Sequence, residues 1–411
     1  YEDWVDIVGD ELNRAVTDHM VSDVPIGAFL SGGIDSSAVA TFMRKATSAE
    51  LNTYSIGYSG STVAEYYNEL PFAKTVAEQL ESNHREINVQ PDVTSLLPKL
   101  IWHLEEPISD SAITTTYLVS ELASQSVKVI LSGVGGDELF AGYNRYLGDH
   151  YDRRYKQIPS ILRKHLLPGV ARFLPSGRQN RLMDMSRYAK RFIQAGQLDW
   201  RERYSFYLAI AGKSDVAALT ANASGENGLD RIASLEDSDD ELLRLLRIDW
   251  QTQLAENLLL LTDKMSMACS LECRVPFLDH KLVELAASIP ARHKLPNGRL
   301  KGLLKDSLRG VLPPSIIDRR KRGFGAPVGA WFKQELAGLR SELLDPTVLG
   351  RRGLVDPESV QRICAAHDRN KEDFTDVILV LMNLEIWARL FLDGHSHEDV
   401  AAQLAERSRA A

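Results

Sequence analysis

Residues 31–37, with the sequence SGGIDSS, combine two glycines, three serines and one aspartate. They follow the apolar run 24–30 and precede the apolar run 38–43, an order that predicts a strand, a loop and a helix. In such a loop, small residues let backbone N–H groups approach phosphate oxygens, and the following helix N-terminus favours negative charge. Asp35 would repel phosphate unless Mg²⁺ lies between the two. The segment predicts a phosphate site with Mg²⁺; a glycine–serine turn with an aspartate helix cap is the alternative.

A second glycine-rich loop, residues 132–143 with the sequence SGVGGDELFAGY, carries Asp137 and Glu138. It fails the dinucleotide-binding pattern GxGxxG, because Glu138 stands where the last glycine is required. Acidic residues in the first turn of a helix are the structural alternative. Because each of the two loops offers one aspartate, we predict that Asp35 and Asp137 bind one Mg²⁺ that bridges a triphosphate.

The sequence lacks a complete phosphate loop of the kind that ends in Gly-Lys-Ser/Thr. Gly212, Lys213 and Ser214 occur together, but Tyr207 stands where the first glycine of that pattern should be. Transfer of a γ-phosphate is therefore not expected. The anion held by SGGIDSS is better interpreted as pyrophosphate, the group that leaves when a nucleophile attacks the α-phosphate.

Alternating elements must position these loops. Strand-like runs predict strands over residues 24–30, 51–58, 84–89 and 127–131, and helical spacing predicts helices over residues 3–20, 37–45, 70–80, 93–104 and 113–125. Strands joined by crossovers of this length form a parallel sheet, so the fold class is α/β, a doubly wound parallel sheet with helices on both faces. Such sheets bind ligands beyond the carboxyl ends of their strands, where both loops fall.

Beyond residue 150 the alternation stops. We predict an α/β nucleotide-binding core over about residues 21–150, a large helical insertion over about 151–240 with a mobile acidic loop at 222–240, and returning C-terminal helices over about 241–395. Within the last part, apolar runs predict helices at 242–261, at 282–287 and up to residue 392. The tail from Glu398 is predicted to be frayed.

Composition limits the partners. The formal net charge is −8, from 48 Lys and Arg against 56 Asp and Glu, so the chain has no overall basic field for nucleic acid or anionic lipid. A local basic patch at residues 319–322 stays open. Three cysteines, an odd number in a long chain, favour a reducing, cytoplasmic setting. The most apolar stretch, 377–392, contains Asn383, Glu385 and Arg389 and predicts a core helix. We expect neither nucleic acid nor a membrane as a partner.

Two further segments accompany the loops: residues 263–279 read DKMSMACSLECRVPFLD, and residues 321–327 read KRGFGAP. Together with SGGIDSS and GDELFAGY, they resemble in order the motifs of the glutamine-hydrolysing asparagine synthetase family, within the ATP-pyrophosphatase (PP-loop) superfamily. The resemblance extends over about residues 3–392. It implies an adenine nucleotide alpha hydrolase-like fold and assigns residues 1–411 to a synthetase domain.

The resemblance implies roles for individual residues. It implies a pyrophosphate site formed by Ser31, Gly32, Gly33, Ser36 and Ser37, and an adenosine pocket lined by Leu30, Ile56, Ser132 and Gly133. Asp35 and Asp137 match the magnesium carboxylates of the family. Lys301 matches a lysine that stabilises charge on the phosphate and on the tetrahedral intermediate, with a solvated helix lysine as the alternative. Lys321 and Arg322 are candidates for a second phosphate clamp or for a solvated surface run.

The implied chemistry is ATP-dependent amidation of a carboxylate. A carboxylate resists ammonia, because its charge repels the nucleophile and it has no good leaving group. Adenylation supplies AMP as the leaving group, while Mg²⁺, the loop N–H groups and Lys301 stabilise the charges that develop. ATP is then a co-substrate, and aspartate or another small carboxylate is the acceptor.

The sequence departs from the family pattern in two respects. Members that make asparagine usually carry glutamate where this chain has Val134, and valine cannot accept a proton or a hydrogen bond. Glu138 is the nearest substitute; otherwise the chain handles a carboxylate other than free aspartate. The family's glutaminase domain uses an N-terminal cysteine, whereas the first cysteine here is Cys269. This chain alone is expected to use free ammonia, with an N-terminal glutaminase domain in the parent protein.

Three other interpretations stay open. A relative of β-lactam synthetase would adenylate the carboxylate and close a ring with an amine of the same substrate. A tRNA-modifying adenylating enzyme would need a basic face or zinc-type cysteines, and the sequence indicates neither. A catalytically silent paralogue is opposed by Asp35, Asp137 and Lys301 and favoured by Val134. The sequence leaves the oligomeric state open, including a homodimer.

Overall fold

The computed structural model describes residues 1–59, 68–89, 93–171, 173–174, 181–220, 238, 240–319 and 336–410. The chain divides into two compact units. The first contains Tyr1–Gln90, Thr115–His150 and Glu236–Gly325, and the second contains Pro91–Thr114, Tyr151–Leu235 and Ala326–Ala411. The predicted acidic loop at 222–240 lies almost entirely outside the described residues, as do Lys321 and Arg322.

One parallel sheet forms the centre of the first unit. Its strands are β1 (Ile26–Phe29), β2 (Asn52–Tyr58), β3 (Asn83–Val89), β4 (Val129–Leu131) and β5 (Glu272–Arg274). They lie in the order β3-β2-β1-β4-β5, and every pairing is parallel. The predicted doubly wound α/β fold and its four predicted strands are confirmed. The sequence did not predict β5, which has three residues and only one apolar side chain.

The helices have the following bounds among the described residues. The α-helices are α1 (Glu2–His19), α2 (Ile34–Ala46), α3 (Leu70–Gln79), α4 (Val93–Leu104), α5 (Ala112–Ser124), α6 (Gly136–Leu139), α7 (Asn144–Tyr155), α8 (Leu167–Ala171), α9 (Arg181–Ala195), α10 (Trp200–Leu208), α11 (Lys213–Leu219), α12 (Glu241–Asp249), α13 (Leu260–Met267), α14 (His280–Ser288), α15 (Ala291–Lys294), α16 (Gly302–Ser307), α17 (Pro314–Ile317), α18 (Ala337–Leu343), α19 (Pro346–Arg352), α20 (Pro357–Asp368), α21 (Thr375–Phe391) and α22 (His397–Ala410). Two π-helices span Leu162–Leu166 and Trp250–Leu259, and two 3₁₀-helices span Pro276–Leu278 and Pro296–Gly298.

Both faces of the sheet are covered, as a parallel sheet requires. In β4, Val129 and Leu131 belong to one hydrophobic core with side chains of α1, α2 and α16, whereas Ile130 belongs to a second core with Val119 and Ala123 of α5. This alternation follows from the two-residue period of a strand. Burial on both faces explains why β4 is a continuous apolar run.

The strand order places the two glycine loops side by side. From β1 the chain continues outward to β2 and β3, and it then returns to place β4 on the other side of β1. The order of the strands therefore reverses between β1 and β4. The carboxyl ends of these two strands border the crevice where doubly wound sheets bind ligands.

The C-terminal tail differs from its prediction. The structure has a helix, α22, where fraying was expected, and Val400 and Leu404 on it are fully buried. Within the second unit, α22 packs against α4. The two buried positions are four residues apart and so share one face of the helix, a pattern that the polar composition of the tail obscured.

The apolar stretch near the C-terminus forms α21, as predicted. Asn383 is buried on it and donates to the carbonyl of Ile108 at 2.7 Å, and Arg389 pairs with Glu385 at 3.0 Å. These hydrogen bonds compensate burial of the Asn383 amide nitrogen and of the Arg389 guanidinium. No helix in the described part of the chain is long and apolar enough to cross a bilayer.

Docking of α22 predicts a stability effect. We expect Leu404→Ala to lower the free energy of unfolding by about 2–5 kcal/mol, because it leaves a cavity in a packed site. Urea unfolding followed by circular dichroism measures the loss. Leu354→Ala is the matched control, since 42% of Leu354 is exposed. Equal effects of the two substitutions would contradict the docked helix.

Candidate active site

The loop after β1 is held by its own serines. The hydroxyl of Ser36 receives a hydrogen bond from the N–H of Ser31 at 3.1 Å and lies 3.0 Å from the hydroxyl of Ser31. The N–H of Gly33 in turn donates to the Ser31 hydroxyl at 3.2 Å. Helix α2 begins directly after Gly33. The loop residues predicted to hold pyrophosphate thus form a compact turn at a helix N-terminus, whose backbone N–H groups and dipole favour an anion.

The loop after β4 touches the loop after β1. A Cβ atom on Gly133 would lie 2.7 Å from the backbone nitrogen of Ser36, and one on Gly136 would lie 2.5 Å from a carboxylate oxygen of Asp35. Such distances exclude any side chain at these two positions. The glycines of the second loop therefore serve close approach of the two loops, and they bring Asp137 on α6 to the side of Asp35.

Lys301 lies between the two aspartates. Its Nζ pairs with Oδ2 of Asp35 and lies 2.8 Å from Oδ1 of Asp137. The lysine is 4% exposed, and its backbone adopts a left-handed conformation with φ of 53° directly before α16. A non-glycine residue in this region is strained. The structure brings together the three residues that the sequence predicted for metal binding and catalysis.

The charges around Lys301 fix its protonation state. Burial by itself lowers the pKa of the Lys301 ammonium, but the charges of Asp137 and Asp35 and their hydrogen bonds outweigh burial and hold that pKa above its ordinary value. Lys301 therefore stays protonated at neutral pH. A group of this kind supplies a fixed positive charge and does not act as a general base.

The two carboxylates fit a magnesium site. Carboxylate oxygens are the ligands that Mg²⁺ prefers, and Mg²⁺ is commonly held by one or two carboxylates together with substrate phosphates. Two carboxylates and one ammonium leave one net negative charge here, which favours a further cation. Among the described residues, no group of three or more His, Cys, Asp or Glu side chains is placed to hold a metal. A metal at this point would take its remaining ligands from phosphate and water.

Glu138 lies beside this cluster but is engaged elsewhere. It is 1% exposed, and it accepts a hydrogen bond from the hydroxyl of Tyr143. Burial, together with the charges of Glu138 and Asp137, raises the pKa of Tyr143 well above its usual range. Tyr143 therefore stays protonated and donates to the carboxylate. Val134 is half-buried, and its N–H lies 3.4 Å from the Ser132 hydroxyl.

The residues predicted to line an adenosine pocket lie at neighbouring strand ends. The N–H of Leu30 donates to the carbonyl of Tyr54 at 2.9 Å, and its carbonyl accepts from the Ser55 hydroxyl. The N–H of Ser132 donates to the carbonyl of Arg274 at 2.8 Å. Ile56 is buried within β2. The sheet therefore fixes the backbone at the carboxyl ends of β1, β2 and β4.

Two residues that the sequence did not single out hold helix α6. Nζ of Lys294, which is fully buried, donates to the carbonyl of Leu139 at 3.0 Å, and the indole N–H of Trp250 donates to the carbonyl of Glu138 at 3.0 Å. Burial lowers the pKa of Lys294 to about 7. Both donors satisfy carbonyl groups at the C-terminal end of a four-residue helix. They fix the backbone that carries Asp137.

Arg319 is a third supporting residue, and it contacts the loop after β1. Its guanidinium donates to the carbonyl of Gly32 at 2.9 Å, pairs with Glu69 and lies 3.9 Å from the centre of the Phe72 ring. Gly32 has a φ of 69°, a conformation that favours glycine. The sequence indicated only a basic run at residues 319–322, and spacing cannot tell which member of a run is buried. The structure identifies Arg319 as a residue that positions the SGGIDSS loop.

The contact of Arg319 with the loop predicts a binding effect. We expect Arg319→Met to weaken binding of ATP and pyrophosphate about 10- to 100-fold, because a charged hydrogen bond to the loop carbonyl is worth about 1.5–3 kcal/mol. Titration calorimetry measures both ligands. Arg309→Met is the matched control, since Arg309 is half exposed and pairs with Asp306. Unchanged affinity in Arg319→Met would exclude a positioning role.

Comparison with known proteins gives one family and several named relatives. The family described as asparagine synthase matches residues 8–389. The chain is 31% identical over 385 residues to asparagine synthetase [glutamine-hydrolyzing] 1 of Bacillus subtilis, covering 92% of this chain and 58% of that protein. It is 31% identical over 402 residues to a putative asparagine synthetase [glutamine-hydrolyzing] of Mycobacterium tuberculosis, covering 96% and 58%.

A third relative is similar over a shorter stretch. The putative asparagine synthetase [glutamine-hydrolyzing] 2 of Methanocaldococcus jannaschii is 41% identical over 154 residues, covering 37% of this chain and 29% of that protein. The chain spans just over half of the length of the first two relatives. Since the family match extends over most of the sequence and confirms the resemblance of the motifs, the chain belongs to the asparagine synthase family.

Proposed function

We propose that this chain activates a carboxylate with ATP and amidates it with ammonia through an acyl-adenylate, releasing AMP and pyrophosphate. The observation that carries the proposal is the convergence of Asp35, Asp137 and Lys301 between two glycine loops at the point where the strand order reverses. Membership of the asparagine synthase family supports the same chemistry.

The proposed reaction has two steps. In the first, an oxygen of the acceptor carboxylate attacks the α-phosphorus of ATP, the bond between the α-phosphorus and the bridging oxygen breaks, and pyrophosphate leaves. In the second, the nitrogen of ammonia attacks the acyl carbon, AMP leaves with the bonding electrons, and the nitrogen loses a proton. Charge develops on pyrophosphate in the first step and on the acyl oxygen in the second, so the ammonium of Lys301 and a bound Mg²⁺ would stabilise both.

The residues of the cluster have distinct proposed roles. The backbone of residues 31–37 receives the pyrophosphate group, and Arg319 keeps that backbone in place. Asp35 and Asp137 would hold Mg²⁺, which when bound neutralises charge on the phosphates. Lys301, protonated and nearly inaccessible to water, opposes the charge that develops on the acyl phosphate. Its burial strengthens this effect, because the local dielectric is low.

The acceptor is proposed to be aspartate or another small carboxyl-bearing molecule. The names of the relatives point to asparagine as a product and to glutamine as the nitrogen source in those proteins. We propose that ammonia reaches this chain from a glutaminase domain outside it. Val134, which can neither accept a proton nor receive a hydrogen bond from an ammonia molecule, favours an acceptor other than free aspartate.

The first test is formation of pyrophosphate from ATP with ammonium across a panel of aspartate, glutamate, uronic acids and amino-acid derivatives. We expect AMP and pyrophosphate in equal amounts with at least one acceptor.

Lys301→Met should lower kcat about 100- to 1,000-fold, as loss of one oxyanion-stabilising donor does. Lys305→Met, four residues further on α16, is the matched control and should retain activity.

Three outcomes of this test would contradict the proposal. Release of ADP and phosphate would indicate γ-phosphate transfer. Absence of pyrophosphate with every acceptor would support the silent paralogue. Formation of an intramolecular amide without ammonium would support the ring-closing alternative.

The second test concerns Val134. We expect Val134→Glu to raise turnover of aspartate relative to the unmodified chain, because the new carboxylate supplies the acceptor of hydrogen bonds that valine lacks. Asparagine formation, measured by amino-acid analysis, reports the change. Val134→Leu is the matched control for a larger side chain, since leucine supplies no hydrogen-bond acceptor. Equal turnover of aspartate by the unmodified chain and by Val134→Glu would remove the argument for another acceptor.

A further inference from the structure

The second unit exposes a stripe of large apolar side chains. Residues 161–173 contain the π-helix Leu162–Leu166 and helix α8. Ile161 is 74% exposed, Leu166 56%, Val170 53% and Phe173 90%. Ile161, Leu166 and Val170 follow one another at spacings of five and four, so they share one face of the helical segment, and Phe173 lies in the turn after α8, where its N–H donates to the carbonyl of Val170 at 3.1 Å. We call these four residues the apolar stripe.

The opposite face of the same segment points inward. Ala171 is 2% exposed, and Leu167, four residues before it, is half-buried. Helix α8 packs against α9 in this unit. The segment therefore already has a packed face, and the apolar stripe is a second apolar face in contact with solvent. A contiguous exposed apolar surface on a folded protein marks a site of interaction.

The sequence around the apolar stripe is positively charged, whereas the whole chain has a net negative charge. Residues 153–183 contain eight Lys and Arg and no Asp or Glu, in a chain whose net charge is −8. Lys164 and His165 lie next to the stripe and are exposed. The expectation that the chain has no membrane partner considered its total charge, which conceals this local excess.

The acidic residues that flank this segment are neutralised by their own partners. Asp152 is buried and pairs with Arg203 at 3.0 Å and with Lys156 at 2.7 Å. Asp184 pairs with Arg187 at 2.6 Å. Neither carboxylate therefore offsets the positive charge of Lys164. The described surface combines exposed aliphatic and aromatic side chains with the ammonium of Lys164.

We propose that the apolar stripe and Lys164 bind the interface of an anionic lipid bilayer, with the helical segment lying in the plane of the membrane. Amphipathic helices of this kind insert large apolar side chains at the boundary of the acyl chains, while basic residues contact lipid phosphates. The proposal goes beyond amidation and is independent of it.

The composition of the surface favours a membrane over other partners. Protein interfaces are depleted of lysine, and their cores exclude charge. Nucleic acids bind through cations and stacked aromatic rings and gain little from isoleucine, leucine or valine. A bilayer interface accommodates both parts of this surface, because phosphate and hydrocarbon lie within a few ångströms of each other along its normal.

Co-sedimentation of the full chain with lipid vesicles tests the proposal. We expect binding to an equal mixture of phosphatidylglycerol and phosphatidylcholine to be at least about tenfold stronger than binding to phosphatidylcholine alone. Binding to the anionic vesicles should weaken as the salt concentration rises. Leu166→Glu combined with Val170→Glu should reduce binding about tenfold or more, since it places charge in the apolar layer. Lys164→Glu should weaken binding to the anionic vesicles only.

A matched control separates this surface from general hydrophobicity. Val21 is 78% exposed in the first unit, and Val21→Glu should leave vesicle binding unchanged. Thermal unfolding followed by circular dichroism checks that all variants are folded, and pyrophosphate formation checks that the catalytic unit is intact. Loss of vesicle binding with both properties retained supports the proposal.

Other results would overturn it. Equal binding to neutral and anionic vesicles, or no binding to either, would exclude an anionic interface. A change from dimer to monomer in the double variant, measured by light scattering, would assign the apolar stripe to a second copy of the chain. Binding of a short RNA that Lys164→Glu abolishes, without vesicle binding, would assign the surface to nucleic acid.

Discussion

The site depends on one electrostatic constraint, the placement of two carboxylates around a single buried ammonium. Asp35 and Asp137 approach each other closely only because Lys301 lies between them. Without that cation, two like charges at this distance would repel, and one carboxylate would take up a proton. The ammonium in turn stays protonated because both carboxylates surround it. Each charge therefore stabilises the charged form of the others, and the net negative charge that is left favours a divalent cation and its phosphate ligands.

Three groups of contacts in the surrounding structure hold this arrangement in place. The glycines of the second loop let its backbone reach the backbone of Ser36, so that α6 and α2 present their carboxylates to the same point. Lys294 and Trp250 hold the end of α6 through its carbonyls, and Arg319 holds the first loop through the carbonyl of Gly32. These contacts are made with backbone carbonyl groups and do not involve the side chains of Asp35, Asp137 and Lys301. Rigid support of this kind is what electrostatic catalysis requires, because the charges must not reorganise during the reaction.

The family relation and the geometry address different questions. Membership of the asparagine synthase family supports the proposed activation step. The proposed choice of acceptor rests on Val134, where the chain departs from the family pattern and where a nonpolar side chain is half-buried. Glu138, the carboxylate nearest in sequence, is occupied by Tyr143. Under the proposed function, activation and the choice of acceptor therefore rest on different residues of the second loop, Asp137 and Val134.

The sequence by itself determined the parallel sheet, its first four strands, and the two loops with Asp35 and Asp137, because apolar runs, glycines and helix starts are local signals. It also indicated Lys301 through the family resemblance. Only the tertiary structure decided which groups meet. Lys301 is 266 residues from Asp35, Arg319 is 287 from Gly32, and Lys294 is 155 from Leu139. A buried lysine and an exposed lysine are the same residue type, so the sequence alone does not distinguish them. Their roles are separated only by folding, which removes one from water and supplies its partners.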